Sequence, residues 1–184
     1  MDAMVARRFR PGLVLPLVLG LAVAGGLYVF GRNHTPDYGI SLFGRTGVDT
    51  LSLKSWLGTG LLALAAVQVA LALWMYGRLR VAAPSGVRIG HRLTGIGLLV
   101  LSGPIAYHCM LAYGVQTTSA RVVVHSLAGC FFYGAFVAKV TVVRSRGFPG
   151  WALPLAGGTL ALLVAVLWYT SALWNFNDFS LPVL

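Results

Sequence analysis

The stretch WLGTGLLALAAVQVALALWMY, at residues 56–76, decides the fold of this protein. It contains no charged side chain, and it matches the ~20 residues that a helix needs to cross the ~30 Å hydrocarbon core of a bilayer. Tryptophan begins the stretch, and tryptophan and tyrosine lie at its other end, as is typical of residues at a membrane interface. Residues 56–76 are therefore predicted to form a transmembrane helix.

Four further apolar runs predict an all-α, integral membrane bundle of five transmembrane helices. They lie at residues 11–31, 93–113, 122–143 and 151–174. The 184 residues include 58% apolar and 10% charged side chains, whereas soluble domains carry about 25% charged residues. Because no connection between the runs is long enough to bury a core of its own, residues 1–184 are predicted to form a single transmembrane domain.

The net charge of +10 is better explained by membrane topology than by nucleic-acid binding, because the basic residues lie between the apolar runs rather than in one patch. Ten of the 14 Lys and Arg residues fall on the side of the N-terminus if Lys139 snorkels to that side. The positive-inside rule then predicts a cytoplasmic N-terminus, an outer C-terminus and location in the plasma membrane. The AVA sequence at 22–24 is similar to a signal-peptide cleavage site, but the apolar run continues to Phe30, so the first helix is predicted to be retained.

The acidic residues and cysteines argue against several kinds of site. The whole carboxylate inventory is Asp2, Asp37, Asp49 and Asp178, and none lies inside an apolar run. Hydrolysis by paired carboxylates and an intramembrane carboxylate proton relay are therefore disfavoured. Cys109 and Cys130 form no C-x-x-C or C-x-x-C-H motif and are predicted to be small packing residues.

Two histidines inside the apolar runs are the candidate functional residues. By helical rise, His108 lies ~7 Å and His125 ~5 Å below the outer boundary, on antiparallel helices. Ionisable side chains in a bilayer usually mark function, and bis-histidine haem ligation needs two imidazoles that face one iron. Gly129, one turn from His125, leaves room for a porphyrin edge, and Arg121, one turn the other way, is placed to pair with a haem propionate. These residues predict one haem b near the outer face.

Two other interpretations stay open. In a cofactor-free membrane anchor or assembly subunit, His108 and His125 would bond across helices, with Tyr107, Gln68 or Ser126 as the expected partners. In a copper or zinc site, His34 from the loop after the first helix would join them. His91 lies 17 residues, or ~25 Å, from His108, and it is interpreted as an interfacial histidine beside Arg92.

Small residues indicate where helices approach one another closely. A ridge in the fourth run recurs every four residues and consists of Ser126, Cys130, Gly134 and Ala138. Glycines in the first and fifth runs fit the same interpretation, namely Gly20, Gly25, Gly26, Gly157 and Gly158. Pro104 is expected to kink the third helix one turn before His108.

The pattern H-x-L-x-G occurs twice, as HRLTG at 91–95 and HSLAG at 125–129, near the starts of consecutive runs. Together with YHC at 107–109, these motifs resemble the small membrane b-type cytochromes, the superfamily of ascorbate-reducible cytochromes and ferric reductases. The resemblance implies that histidines near the helix ends hold haem. The chain has three membrane-associated histidines where two bis-histidine haems need four, so the resemblance supports one haem rather than two.

A second resemblance rests on three longer segments, which cover more of the chain than the H-x-L-x-G motifs do. They are LYVFGRNHTPDYGISL at 27–42, ALALWMYGR at 70–78 and VHSLAGCFFYGAFVAKV at 124–140. They resemble an uncharacterised family of actinobacterial membrane proteins, and this resemblance implies the same architecture. A haem near one face cannot by itself bridge a ~30 Å core. The predicted redox partners are therefore a quinol in the outer leaflet and an extracytoplasmic redox protein, with residues 32–55 as the docking surface.

Overall fold

The computed structural model describes residues 14–145 and 147–181, and in that part of the chain every regular element is helical. Five helices are long and apolar enough to cross a membrane, which confirms the predicted all-α bundle. They are α1 (Leu15–Asn33), α2 (Gly47–Met75), α3 (Val87–Ala112), α4 (Ala120–Arg144) and α5 (Ala152–Trp168). Helix α5 continues into a π-helix, Tyr169–Leu173, and a final short helix, α6 (Trp174–Phe176).

The helices extend beyond the apolar runs at several of their ends. Helix α2 begins at Gly47 rather than at residue 56, and its 29 residues give a length of ~44 Å. A helix satisfies its own backbone hydrogen bonds, so it need not end where the apolar side chains end. The predicted start at residue 11 and the charges of Arg7, Arg8, Arg10 and Arg146 lie outside the described residues.

The loops alternate between the two ends of the bundle. We call the end with the α1–α2 and α3–α4 loops the outer end, and the end with the α2–α3 and α4–α5 loops the inner end. These names follow the orientation predicted from the charges, which stays a prediction. His108 and His125 both lie toward the outer end, His108 near the end of α3 and His125 near the start of α4.

Helices α2 to α5 surround a shared core, to which each contributes one buried side chain: Ala65, Leu98, Phe132 and Val164. Helix α2 packs between α3 and α5, α4 packs against α5, and α1 packs against the other side of α4. Helices α3 and α4 do not pack closely against each other. The long side chain of Tyr133 bridges them instead, and its hydroxyl donates to Ser102 Oγ at 3.0 Å.

Small residues let α1 and α4 approach closely, as the ridge on α4 predicted. A Cβ added to Gly20 would lie 2.8 Å from the carbonyl oxygen of Gly134 and 3.1 Å from the Cβ of Ala138. The other glycines that were predicted to lie at close helix contacts do not lie at them. A Cβ added at any of four positions would meet no atom within 4 Å: Gly25, Gly26, Gly157 and Gly158. Only a glycine that faces a neighbouring backbone permits close packing, and sequence spacing alone does not say which one does.

The loop between α1 and α2 folds back over the outer end of α3. The amide of Asp37 donates to the carbonyl of Leu111 at 3.2 Å, and the amide of Val115 donates to the carbonyl of Gly31 at 2.9 Å. The side chain of Leu42, farther along the loop, is buried. The loop therefore covers the part of α3 that carries His108.

Candidate functional site

His108 lies near the outer end of α3 and is only 2% exposed. Its Nε2 is 3.0 Å from the backbone carbonyl oxygen of Ile40, in the α1–α2 loop. Because a carbonyl oxygen can only accept, Nε2 carries the hydrogen and Nδ1 carries the lone pair. That Nδ1 is buried, and none of the described residues offers it a hydrogen bond. His108 is therefore held by one nitrogen and has a free lone pair on the other.

In His125, near the start of α4, Nδ1 carries the hydrogen and Nε2 carries the lone pair, which is the reverse of His108. Its Nδ1 is 2.9 Å from Thr170 Oγ1, and that hydroxyl donates to the carbonyl of Val166 at 2.7 Å. Since the hydroxyl hydrogen is used by Val166, the Thr170 oxygen accepts the hydrogen on Nδ1. Nε2 then carries the lone pair, and within the described part of the chain no hydrogen bond engages it.

The prediction that Tyr107, Gln68 or Ser126 would bond to His108 or His125 was wrong. Gln68 donates to the carbonyl of His91 and to Thr94 Oγ1, each at 2.6 Å, so it is an interhelical bond but not one to His108 or His125. Tyr107 is 65% exposed. The two actual partners had no sequence signal, because any residue can supply a backbone carbonyl and Thr170 is one hydroxyl among many.

Arg121 and His125, one turn apart on α4, both contact Thr170. Arg121 Nη1 donates to the Thr170 carbonyl at 2.9 Å, and the guanidinium lies 3.7 Å from the ring centroid of Trp174. Thr170 belongs to the π-helix, and short π segments inside α-helices are frequent at functional sites. Only one of the five N–H donors of Arg121 is used in this hydrogen bond.

Gly129 faces α5. A Cβ added to Gly129 would lie 3.9 Å from Leu167 Cδ2, an ordinary van der Waals distance. Phe132, which continues the same face of α4, is buried in the shared core. The stripe of α4 that carries Arg121, His125 and Gly129 is therefore directed at α5 and its π-helix.

Lys54 is a member of the site that sequence reasoning assigned only to topology. Its ammonium lies 3.9 Å from Cys109 Sγ and 4.5 Å from the ring centroid of Tyr113, whose ring contacts His108 edge-on at 5.8 Å. Lys54 therefore places a positive charge beside Cys109 and Tyr113, two neighbours of His108. Lys54 was overlooked because α2 was predicted to start at residue 56, whereas the helix begins at Gly47 and contains Lys54 about two turns from its start.

His34 lies on the outer end of α3 without joining the other histidines. Its Nε2 is 3.0 Å from the carbonyl oxygen of Leu111, and its ring stacks on Phe30 with a centroid distance of 5.5 Å. Within residues 14–145 and 147–181, no group of three or more His, Cys, Asp or Glu side chains forms a metal-binding cluster. The copper or zinc hypothesis stays a prediction.

Comparison with known proteins bears on the family rather than on the activity. No curated protein and no solved structure matches the chain. A profile described as a family of unknown function, DUF6529, matches residues 13–183, which is nearly the whole chain. This match tests neither the actinobacterial nor the cytochrome resemblance. The protein belongs to the DUF6529 family of unknown function.

Proposed function

We propose that this protein is a membrane electron-transfer subunit that binds one haem b near the outer face through His108 and His125. One observation carries the proposal: each imidazole donates its N–H to a protein acceptor and keeps a free lone pair on its other nitrogen. Histidines that bind metals almost always have this arrangement, because the bond to the acceptor fixes the tautomer and the ring orientation.

The residues present fit a haem by donor type and by charge. Neutral imidazole is a usual axial ligand of haem iron, and the iron supplies one-electron chemistry when it is bound. Lys54 contacts Cys109 and the Tyr113 ring near His108, and Arg121 bonds to Thr170, the partner of His125, so two positive charges are available to neutralise haem propionates. His108 presents Nδ1 and His125 presents Nε2, so the two imidazoles are not equivalent.

The chain's own groups would hold and shield such a site. Ile40 and Thr170 orient the two rings, and the α1–α2 loop covers His108 and limits water access. Two aromatic side chains at the outer end, Tyr113 and Trp174, contact the two cations. These contacts support a preorganised site whose Lys54, His108 and His125 lie on the helices α2, α3 and α4 rather than on loops.

The proposed electron partners are a quinol and an extracytoplasmic redox protein. Phe43, at the tip of the α1–α2 loop, is 71% exposed and lies beside Arg45 in a tight turn. An exposed aromatic residue with an adjacent positive charge is typical of the centre of a protein–protein contact. This arrangement supports the loop as the docking surface.

The test is a reduced-minus-oxidised visible spectrum of the purified protein, together with haem quantification after extraction. We expect a b-type band and about one haem per chain in the wild type. His108→Ala and His125→Ala should each lose the band, whereas His34→Gln, which alters a neighbouring histidine outside the site, should keep it. A wild type without haem, or histidine variants with an unchanged spectrum, would contradict the proposal.

A cofactor-free membrane subunit is the second candidate. It is favoured by the contact of Gly129 with Leu167 and by the hydrogen bonds that both imidazoles already make within the chain. In this case His108→Ala and His125→Ala reduce thermal stability or recovery of a partner, and the wild type has no visible band. The same preparation therefore distinguishes the two candidates.

A further inference from the structure

A second group of polar side chains lies inside the bundle, two turns or less below the shared core toward the inner end. Helical spacing of three or seven residues keeps side chains on one face. Gln68 follows the core residue Ala65 by three positions, His91 precedes Leu98 by seven, and Lys139 follows Phe132 by seven. With Thr94, these residues form what we call the inner polar layer: Gln68, His91, Thr94 and Lys139.

Lys139 lies on the face of α4 that carries the buried Phe132, seven residues before it. The side chain is half-buried. Lys139 therefore belongs to the face of α4 that points into the bundle, and the expectation that its ammonium snorkels to the inner boundary stays a prediction.

Hydrogen bonding leaves two buried polar atoms of this layer without a partner among the described residues. Gln68 Nε2 donates to the His91 carbonyl, which fixes the amide orientation and leaves Oε1 facing away. Gln68 Oε1 and His91 Nδ1 are both buried, and neither receives a hydrogen bond from the described residues. The Lys139 ammonium has three hydrogens and donates none of them in the described hydrogen bonds. Two buried polar atoms without a partner therefore lie in the same layer as the Lys139 ammonium.

Helix α5 leaves space beside these groups. Gly157 precedes the core residue Val164 of α5 by seven positions and so lies on the face toward the layer. A Cβ added to Gly157 would meet no atom within 4 Å. Gly95, by contrast, lets Gln68 approach α3 closely, because its added Cβ would lie 3.0 Å from Gln68 Nε2. The polar groups are held on the α2–α3 side, and the open space lies toward α5.

We propose that the inner polar layer binds the head group of a membrane quinol. A quinol hydroxyl both donates and accepts, so it can donate to Gln68 Oε1, or to His91 Nδ1 in the tautomer that has its lone pair there, while its oxygen accepts from the Lys139 ammonium. The ring and tail of a quinol are apolar and enter from lipid, which suits a site between helices within the bilayer. This site lies at the opposite end from His108 and His125 and does not rest on the haem proposal.

Photo-labelling of the full-length protein in lipid nanodiscs tests this site. The probe is an azido-benzoquinol with a ten-carbon tail, and labelled peptides are located by mass spectrometry. We expect label on α2, α3 or α4 near the inner polar layer, displaced by unlabelled decyl-benzoquinol. The dimethyl ether of that quinol has the same ring but no hydroxyl hydrogen, so it should compete about tenfold less well. Label spread over the lipid-facing surface, or equal competition by the ether, would overturn the proposal.

Variants add an independent measurement. Lys139→Met and His91→Phe should each reduce the competed labelling about tenfold, and Lys139→Arg should retain most of it. Arg92→Gln is the matched control, because Arg92 is exposed and points about 100° away from its neighbour His91. If Lys139→Met does not fold, the labelled position in the wild type and the Lys139→Arg result decide the question. His108→Ala should keep the labelling, so a failure of the haem proposal is distinguishable from a failure of this one.

Discussion

The hydroxyl of Thr170 fixes which nitrogen of His125 carries a hydrogen. It donates to Val166 and therefore accepts from Nδ1, so the lone pair is on Nε2. The Ile40 carbonyl does the same for His108 with the nitrogens exchanged. At the scale of single residues, a backbone carbonyl and a hydroxyl decide which nitrogen of each imidazole has the lone pair that could bind a metal.

Replacing Thr170 by valine tests this role, because valine keeps the shape but removes the acceptor. We expect Thr170→Val to lower the free energy of unfolding by about 1–3 kcal/mol, since His125 is left with an unpaired buried N–H. Thr159→Val is the control, because Thr159 is exposed and its hydroxyl bonds only to the Leu155 carbonyl of its own helix. Unfolding curves in detergent that are the same for both variants would show that the His125–Thr170 bond contributes nothing.

Glycine packing gives a second prediction at this scale. Gly20→Ala should destabilise the protein by about 1–3 kcal/mol, because the added Cβ meets the Gly134 carbonyl at 2.8 Å and forces α1 away from α4. Gly25→Ala, in the same helix, meets no atom within 4 Å and should be neutral, or stabilising by up to about 1 kcal/mol through helix propensity. Thermal unfolding of both variants measures the difference. A larger loss in Gly25→Ala would contradict the assigned interface.

At the scale of elements, the irregular segments carry the site. The π-helix places the carbonyl and hydroxyl of Thr170 within reach of Arg121 and His125. The α1–α2 loop supplies the Ile40 carbonyl to His108 and ends in a tight turn between Leu42 and Arg45. Neither element has a hydrophobic periodicity from which it could be predicted. Each is stabilised by contacts with distant parts of the chain, which a local pattern does not record.

The turn contains a non-glycine residue in the left-handed region, since Phe43 has φ of 51°. Phe43→Asn should raise the free energy of unfolding by about 0.5–1 kcal/mol, because asparagine adopts this conformation more readily and the exposed phenyl ring loses little packing. Phe179 also has a positive φ, of 60°, but its ring packs on Trp174 at 4.8 Å. Phe179→Asn should therefore show no such gain. Equal effects in denaturant titrations would contradict this explanation.

At the scale of the whole molecule, the packing order determines which groups meet. Helices α2 to α5 share a core, and the bridge from Tyr133 to Ser102 separates an outer polar group from the inner polar layer. The outer group contains Lys54, His108 and His125. Both groups lie between helices, and both contain buried polar atoms without a partner among the described residues: His108 Nδ1 in the outer group, and Gln68 Oε1 and His91 Nδ1 in the inner polar layer.

The predicted orientation is testable on intact cells. In a protein with Cys109 and Cys130 replaced by alanine, Phe43→Cys in the α1–α2 loop should react with a membrane-impermeant maleimide. Ala82→Cys, in the exposed α2–α3 loop, should react only after the cells are opened, because the positive-inside rule places that loop in the cytoplasm. The reverse pattern of labelling would show that the bundle is inverted, and the site would then face the cytoplasm.

The helices were predictable because a transmembrane run is a local property. Its length is fixed by bilayer thickness and its composition by hydrophobicity, so residues 56–76 and their four counterparts were recognised without any knowledge of packing. The ridge on α4 was predictable for a similar reason, since its small residues recur at helical spacing. The helix ends, the π-helix and the choice among glycines were not, because they depend on neighbouring helices.

The sequence by itself determined the class of protein, the five apolar helices, and the placement of His108 and His125 toward one end of the bundle. Hydrophobicity and helical rise are additive along the chain, so these properties can be read without the fold. Only the tertiary structure decided that Ile40 and Thr170 hold the two imidazoles, that Lys54 lies beside Cys109, and that Gln68 bonds to the His91 carbonyl. Hydrogen bonds and charge contacts between distant residues depend on which helices pack together, and no local pattern specifies that order.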